Sequence, residues 1–343
     1  MAANDSHRFR TGLLFAIGSA LAFGSSGPFA KSLMEAGWSP TAAVTARLAG
    51  GALAMGVFAS LIRPGWLREA RRYARTVVWY GIVPIAGAQF FYYNAVNHLS
   101  VGVALLLEYT APLLVVAWLW AVTRRRPTNL TLGGVVVAVV GIMLVLGILG
   151  ADGLAAADVN LVGVGWGLAA AVCAACYFLM SDKVGVQDPD GRPGLHPITL
   201  AAGGLVIGAV TVGLIGLTGV MPLTFTASDV VIAGWTTSWL VPVIALALIP
   251  TAIAYTLGII GIARLRPRFA SLVGLSEVLF AVLAAWLLLG EAITATQAVG
   301  GAIVLAGLAL ARQGDRSEEL AAVTWPDAPA GDVPLTSTGD FRS

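Results

Sequence analysis

Two carboxylates, Glu108 and Glu277, stand in stretches otherwise apolar enough to cross a bilayer, and one guanidinium, Arg47, stands in a third. A charged side chain at membrane depth costs at least ~2.5 kcal/mol even on lenient insertion scales, so each is expected to face protein or water and to be used or paired. A carboxylate so placed can hold a cationic group of a small molecule, or take up and release a proton. Its structural alternative is a permanent ion pair, with Arg47 or Lys31 as partner. Arg47 can equally receive a substrate carboxylate, whereas Lys31, near the end of its run, can snorkel to the interface.

Beside these charges lies a polar stripe: Gln89, Tyr92, Tyr93, Asn94, Asn97 and His98. Gln89, Tyr93 and Asn97 recur every fourth residue and share one helical face. Tyr255 stands in a later run. A cavity lined by Gln89, Tyr93, Glu108, Tyr255 and Glu277 is expected, with Arg47 as gate or counter-ion and Asn94 either in the cavity or bonded between helices. No metal or cofactor is expected. His98 lacks a partner at ligand spacing, and Cys173 and Cys176 lie one turn apart in an apolar run, which reads as packing. Walker, dinucleotide-binding and nucleophile-elbow motifs are absent.

The elements that must position these residues follow from composition. Of 343 residues, 58% are hydrophobic and 11% charged, with a mean hydropathy of +0.85. Soluble domains carry roughly 25% charged residues, so most of this chain must face lipid. The formal net charge is only +2, and the sequence holds no basic, aromatic-interleaved surface for nucleic acid. Runs of about 20 apolar residues, the length that crosses a ~30 Å hydrocarbon core, fall at 11–34, 40–62, 76–96, 101–122, 130–149, 161–182, 196–219, 238–262, 268–289 and 294–312. The first exceeds a secretory signal core in length and reads as a transmembrane helix.

The expected fold is therefore an all-α polytopic membrane protein with ten transmembrane helices. Residues 1–10 form an N-terminal arm, 11–149 and 161–312 two five-helix units, and 313–343 a polar tail expected to be disordered. Placing both termini in the cytoplasm puts every basic residue except Lys31 and Arg47 on the inner side, as the positive-inside rule requires. At a fixed offset of 166 positions Pro84 falls on Pro250, Trp120 on Trp286, Thr128 on Thr294, Gly134 on Gly300 and Gly141 on Gly307. Each unit has an odd number of spans, so the two repeats are expected to lie inverted, with a site near the midplane where they meet. Glu108 falls on Gly274, one helical turn from Glu277. Helix distortions are expected at Pro28, Pro84, Pro112 and Pro250.

At Val101-Gly102-Val103-Ala104-Leu105-Leu106-Leu107-Glu108-Tyr109-Thr110-Ala111-Pro112-Leu113, and at Ser276-Glu277-Val278 through Trp286 to Gly290-Glu291, the chain resembles the EamA-type branch of the drug/metabolite transporter superfamily, in particular threonine/homoserine exporter-like members. Val278 stands where that family usually has proline. The resemblance covers about residues 10–312. It implies a secondary transporter of the cytoplasmic membrane that exports amino acids or related small metabolites by alternating access, in such families often coupled to protons, and no enzymatic activity. The alternatives are a membrane-embedded enzyme acting on lipid and an assembly or channel subunit; the short loops supply no headgroup-level acid pair for the first. The oligomeric state is left open.

Overall fold

A long apolar run in lipid has no water for its N–H and C=O groups, so it must bond along its own axis. In the computed structural model, which describes residues 2–124, 126–146, 160–181, 194–254, 257 and 267–324, the apolar runs are helical wherever they are described. Helices α1 (Ala2–Gly24) and α2 (Ser26–Glu35) form one rod broken just before Pro28. Helix α3 (Pro40–Ile62) starts at Ser39, whose hydroxyl accepts the Ala42 N–H, and has Pro40 at its first position, where a missing donor costs nothing. After the short α4 (Trp66–Arg72), α5 (Ala74–Tyr80) passes through a π-helical stretch at Gly81–Gly87 into α6 (Ala88–His98). Helices α7 (Val101–Glu108) and α8 (Ala111–Thr123) are parted at Tyr109-Thr110, just before Pro112. Helix α9 (Asn129–Val145) follows.

The second half holds α10 (Leu161–Ser181), α11 (Pro197–Leu217) and α12 (Leu240–Ala247), the last running into a π-helical stretch at Leu248–Ile253. Helices α13 (Pro267–Leu289) and α14 (Ala295–Thr324) close the described chain. Both π-helical stretches contain the prolines paired by the repeat, Pro84 and Pro250. Proline has no N–H and crowds the carbonyl four residues back. Here Leu246, four before Pro250, has its carbonyl taken by the Thr251 hydroxyl at 3.1 Å.

Two features depart from the expected all-α fold with a disordered tail. Between α11 and α12 an antiparallel hairpin pairs β1 (Val230–Ile232) with β2 (Trp235–Thr237). Its strands are rich in β-branched residues, and its turn, Ala233-Gly234, has positive φ at both positions (53° and 78°), the conformation of a tight hairpin turn. Helix α14 also runs to Thr324, into the segment expected to be without structure. Glu318, Glu319, Leu320, Ala321 and Ala322 favour helix, and extending a formed helix needs no new nucleus. Residues 325–343 lie outside the described residues.

Burial is inverted relative to a water-soluble protein. Arg47, Asn94, Thr131, Thr199 and Thr251 are buried, while Leu53, Val57, Trp118, Val136 and Trp286 are more than half exposed. Four helices, Arg10–Glu35, Pro40–Ile62, Val101–Val122 and Pro197–Leu217, are long and apolar enough to cross a membrane, and shorter apolar helices surround them. An exposed belt of aliphatic and aromatic side chains is what lipid solvates, so the chain is a multi-pass membrane protein.

The tightest packing joins α9 to α14. A Cβ on Gly134 would lie 2.3 Å from the Ala311 nitrogen and 2.6 Å from the Gly307 carbonyl oxygen; one on Gly141 would lie 2.7 Å from the Val304 nitrogen and 2.8 Å from the Gly300 oxygen. Gly134 meets Gly307 and Gly141 meets Gly300, so the two helices run antiparallel. Lipid offers no hydrophobic drive for helices to associate, and close backbone approach at small residues supplies dispersion instead.

At the end of the bundle where α3 turns into α4, Glu69 joins two distant parts of the chain. Its carboxylate accepts the His196 backbone N–H (2.9 Å), the Thr199 hydroxyl (2.7 Å) and Arg63 Nε (3.1 Å), tying α4 to the start of α11. Burial alone pushes the Glu69 carboxyl up, but these hydrogen bonds and the Arg63 charge outweigh it and hold it below its ordinary value of 4.5. Burial, then the Arg63 charge, hold the His196 imidazole below 6.5 against the pull of Glu69. Its Nδ1 accepts the Ile198 N–H, which requires the neutral ring at that atom.

Two outcomes follow. Gly134→Ala forces backbone apart and destabilises by about 1–3 kcal/mol. Gly133→Ala, with nothing within 4 Å of its Cβ, does not; thermal unfolding in detergent compares them. Both titrations at the Glu69 cluster leave the folded state binding fewer protons than the unfolded one. Stability is therefore complete above the ordinary His value, falls as His196's contribution is lost below 6.5, and falls again as Glu69's is lost below 4.5. Glu69→Gln costs about 1 kcal/mol at neutral pH and removes the lower of the two acid steps; an unaltered pH–melting curve would contradict the assignment.

Candidate functional site

Arg47 lies two turns into α3, about 10 Å from its start at 1.5 Å per residue, and is 5% exposed. Its Nη1 donates to the Ser26 hydroxyl, to Gln89 Oε1 and, at 3.1 Å, to the Tyr93 hydroxyl; its Nη2 donates to the Pro250 carbonyl at 3.5 Å. The Ser26 and Tyr93 hydroxyls are themselves 3.0 Å apart, and the guanidinium sits 5.7 Å from the Tyr93 ring centroid, within cation–π range. Glu108, a candidate ion-pair partner from the sequence, is not among these hydrogen-bond partners.

Each partner arrives by a local feature of the chain. Ser26 opens α2 at the break before Pro28. Gln89 and Tyr93 follow the first π-helical stretch, one turn apart on the same face of α6. The Pro250 carbonyl belongs to the second such stretch, which can approach α3 because Gly50 and Gly51, one turn beyond Arg47, have no side chains. A Cβ on Gly51 would come within 2.4 Å of Thr251 Cγ2, and one on Gly50 within 2.5 Å of Ala247 Cβ.

The two acids come from different halves of the chain. Glu108 ends α7 and has no hydrogen-bond or ion-pair partner among the described residues. Glu277 on α13 accepts the Tyr109 hydroxyl at 2.8 Å, so the break between α7 and α8 reaches directly to the other acid. Glu108 and Glu277 lie within electrostatic reach of each other and of Arg47. Helix α1 meets α13 at the same level: a Cβ on Gly24 would stand 3.0 Å from the Glu277 carbonyl oxygen and 2.8 Å from the Ala281 nitrogen. The result is a cluster of one buried guanidinium, two half-buried carboxyls, an amide and phenolic hydroxyls.

Of the residues expected from sequence, Arg47, Gln89 and Tyr93 are in mutual contact, and Glu108 and Glu277 lie close by. Asn94 is buried but donates its amide to the Phe90 carbonyl at 2.8 Å, one turn back in its own helix. Asn97 and His98 are exposed. Tyr255 lies outside the described residues. Sequence reasoning missed Tyr109 and Ser26, although both adjoin proline-marked breaks that it had singled out.

Where α6 turns into α7, the end of the same helices is held together by Lys31. Its ammonium pairs with Glu291 and also reaches the Leu99 carbonyl at 3.4 Å; the second Glu291 oxygen accepts the Val101 N–H at 3.2 Å. Glu291 thereby satisfies one of the free N–H groups at the start of α7, where a negative charge is favourable. Three segments distant in sequence meet there: α2, the α6–α7 turn and the α13–α14 loop.

The family model of the EamA-like transporter family matches residues 10–147 and again 161–313, so the two halves are copies of one unit. Among proteins of known name, the chain is 31% identical over 283 residues to the threonine/homoserine exporter RhtA of Escherichia coli K12, covering 81% of this chain and 84% of the relative. It is 30% identical over 284 residues to the protein of that name in Salmonella typhimurium LT2, with 82% and 84% covered. An uncharacterized transporter of Archaeoglobus fulgidus is 25% identical over 251 residues, covering 73% of this chain and 81% of the relative. A crystal structure with 24% identity superposes with a TM-score of 0.56 over 90% of this chain and 98% of its own, a likeness of fold.

Proposed function

Since the chain belongs to the EamA-like transporter family, we propose that it is a secondary transporter that exports a small amino acid, of the threonine or homoserine type, across the cytoplasmic membrane. The observation that carries this reading is the cluster itself. One guanidinium and two carboxyls contributed by both repeats complement a zwitterion. Arg47 receives the α-carboxylate, for which a planar fork of donors is suited. Glu108 and Glu277 hold the ammonium, and Gln89 and Tyr93 position the guanidinium, with Tyr255 and Asn94 as further candidate lining. Relatives named as threonine/homoserine exporters support the substrate class.

In this reading the ten helices form two inverted repeats that rock about the site. The antiparallel contact of α9 with α14, which the 166-residue offset makes equivalent, agrees with that inversion. The distribution of basic residues supports cytoplasmic termini. Glu108, with no partner among the described residues, is the group that exchanges a proton for substrate. The Lys31–Glu291 pair closes the outer end when the site is shut and separates when it opens outward. Nothing in the cluster calls for a metal or a cofactor.

Labelled threonine and homoserine, offered to proteoliposomes with and without a pH gradient, test the proposal directly. Gradient-driven accumulation above empty vesicles is expected; none with either substrate would remove its support. Glu108→Gln should fold normally and lose the gradient-driven component, while Arg47→Lys raises the half-saturating concentration about tenfold or more. With Cys173 and Cys176 replaced by alanine, Lys31→Met should speed labelling of Asn94→Cys by an impermeant outer thiol reagent several-fold. An unchanged labelling rate would reduce the Lys31–Glu291 pair to a loop tether.

A further inference from the structure

Away from that cluster, the chain turns sharply from α3 into α4. Gly65, at φ 130°, adopts a backbone conformation that side chains disfavour and folds the chain sharply back. Trp66, 7% exposed, tucks beneath α3 with its Nε1 donating to the Ser60 hydroxyl at 3.0 Å. The fold-back leaves a cleft of about 490 Å³ lined by Arg63, Arg68, Arg72, Glu69 and Tyr73, within the size range of small-ligand sites. Glu69 is matched by Arg63 and further held by Thr199 and the His196 N–H. Arg68 and Arg72 are exposed, and Arg72 lies 5.6 Å from the Tyr73 ring centroid. The cleft therefore carries excess positive charge. Beside it Leu61, Ile62 and Leu67 are 77%, 57% and 55% exposed, an aliphatic edge adjoining the arginines.

We propose that this cleft binds the phosphate headgroup of an anionic phospholipid, with the acyl chains lying along Leu61, Ile62 and Leu67. A free phosphate has the same charge but no use for that edge, and a zwitterionic lipid has the edge without net charge. Guanidinium groups at headgroup level above exposed aliphatic side chains meet both demands of one amphiphile. The site rests on the membrane placement of the chain and is independent of what the central cluster carries.

Native mass spectrometry of the full-length protein in neutral detergent tests this without substrate or transport. Titration with phosphatidylglycerol should give bound adducts at concentrations where phosphatidylcholine gives few. Arg68→Gln and Arg72→Gln, at exposed positions that leave folding intact, should each weaken phosphatidylglycerol binding about fivefold, with Arg75→Gln outside the cleft unchanged. Glycerol 3-phosphate should compete weakly. Equal retention of the two lipids by the unaltered protein would overturn the proposal, as would an equal loss in Arg75→Gln. Glycerol 3-phosphate binding as tightly as the lipid would assign the cleft to free phosphate instead.

Discussion

A guanidinium held two turns inside an apolar helix has to be surrounded by oxygen, and much of the molecule is arranged to provide it. Arg47 draws its oxygens from four places: the start of α2, two positions on α6 and a backbone carbonyl of the second π-helical stretch. No single helix could supply them. The two proline-bearing irregularities, the break at Ser25 and the paired glycines on α3 acquire a common explanation. Each either frees an acceptor or lets one come close enough. Hydrogen bonds to a charged group contribute about 1.5–3 kcal/mol apiece, the scale needed to offset an ion at this depth.

The acids obey a different logic. Glu277 is tied to Tyr109 across the boundary between repeats, whereas Glu108 sits at a helix end beside that same tyrosine. One carboxyl is anchored and the other has no such bond among the described residues, although the repeat makes their positions nearly equivalent. The one-turn displacement between Glu108 and Glu277 separates their surroundings.

Much of this was legible in the sequence because membrane-embedded charges and prolines are rare enough to stand out. Arg47, Glu108, Glu277 and the Gln89–Tyr93 face could be chosen for cost alone, and Pro84 and Pro250 marked both π-helical stretches. Tyr109 and Ser26 could not be chosen that way: a tyrosine or serine in such a helix carries little penalty, and only the fold shows which ones meet a charge. Glu69 and Glu291 look like ordinary loop acids, and their partners lie 130 and 260 positions distant. The hairpin at Val230–Thr237 was hidden because its strands are only three residues each, too short for a periodic pattern. The extension of α14 was hidden because a polar composition speaks to burial, while helix propensity is carried by its alanines, leucines and glutamates.

The glycine seam between α9 and α14 also has a temporal side. Its first half is synthesised and inserted long before its second, because α14 is the last described helix to leave the ribosome. Until then α9 presents to lipid a bare backbone groove at Gly134 and Gly141, a surface whose best partner is the matching groove of the other copy. The same complementarity would let the two helices, carried on separate chains, embrace each other antiparallel. In this molecule that embrace has become intramolecular, and it is completed only once α14 has been made.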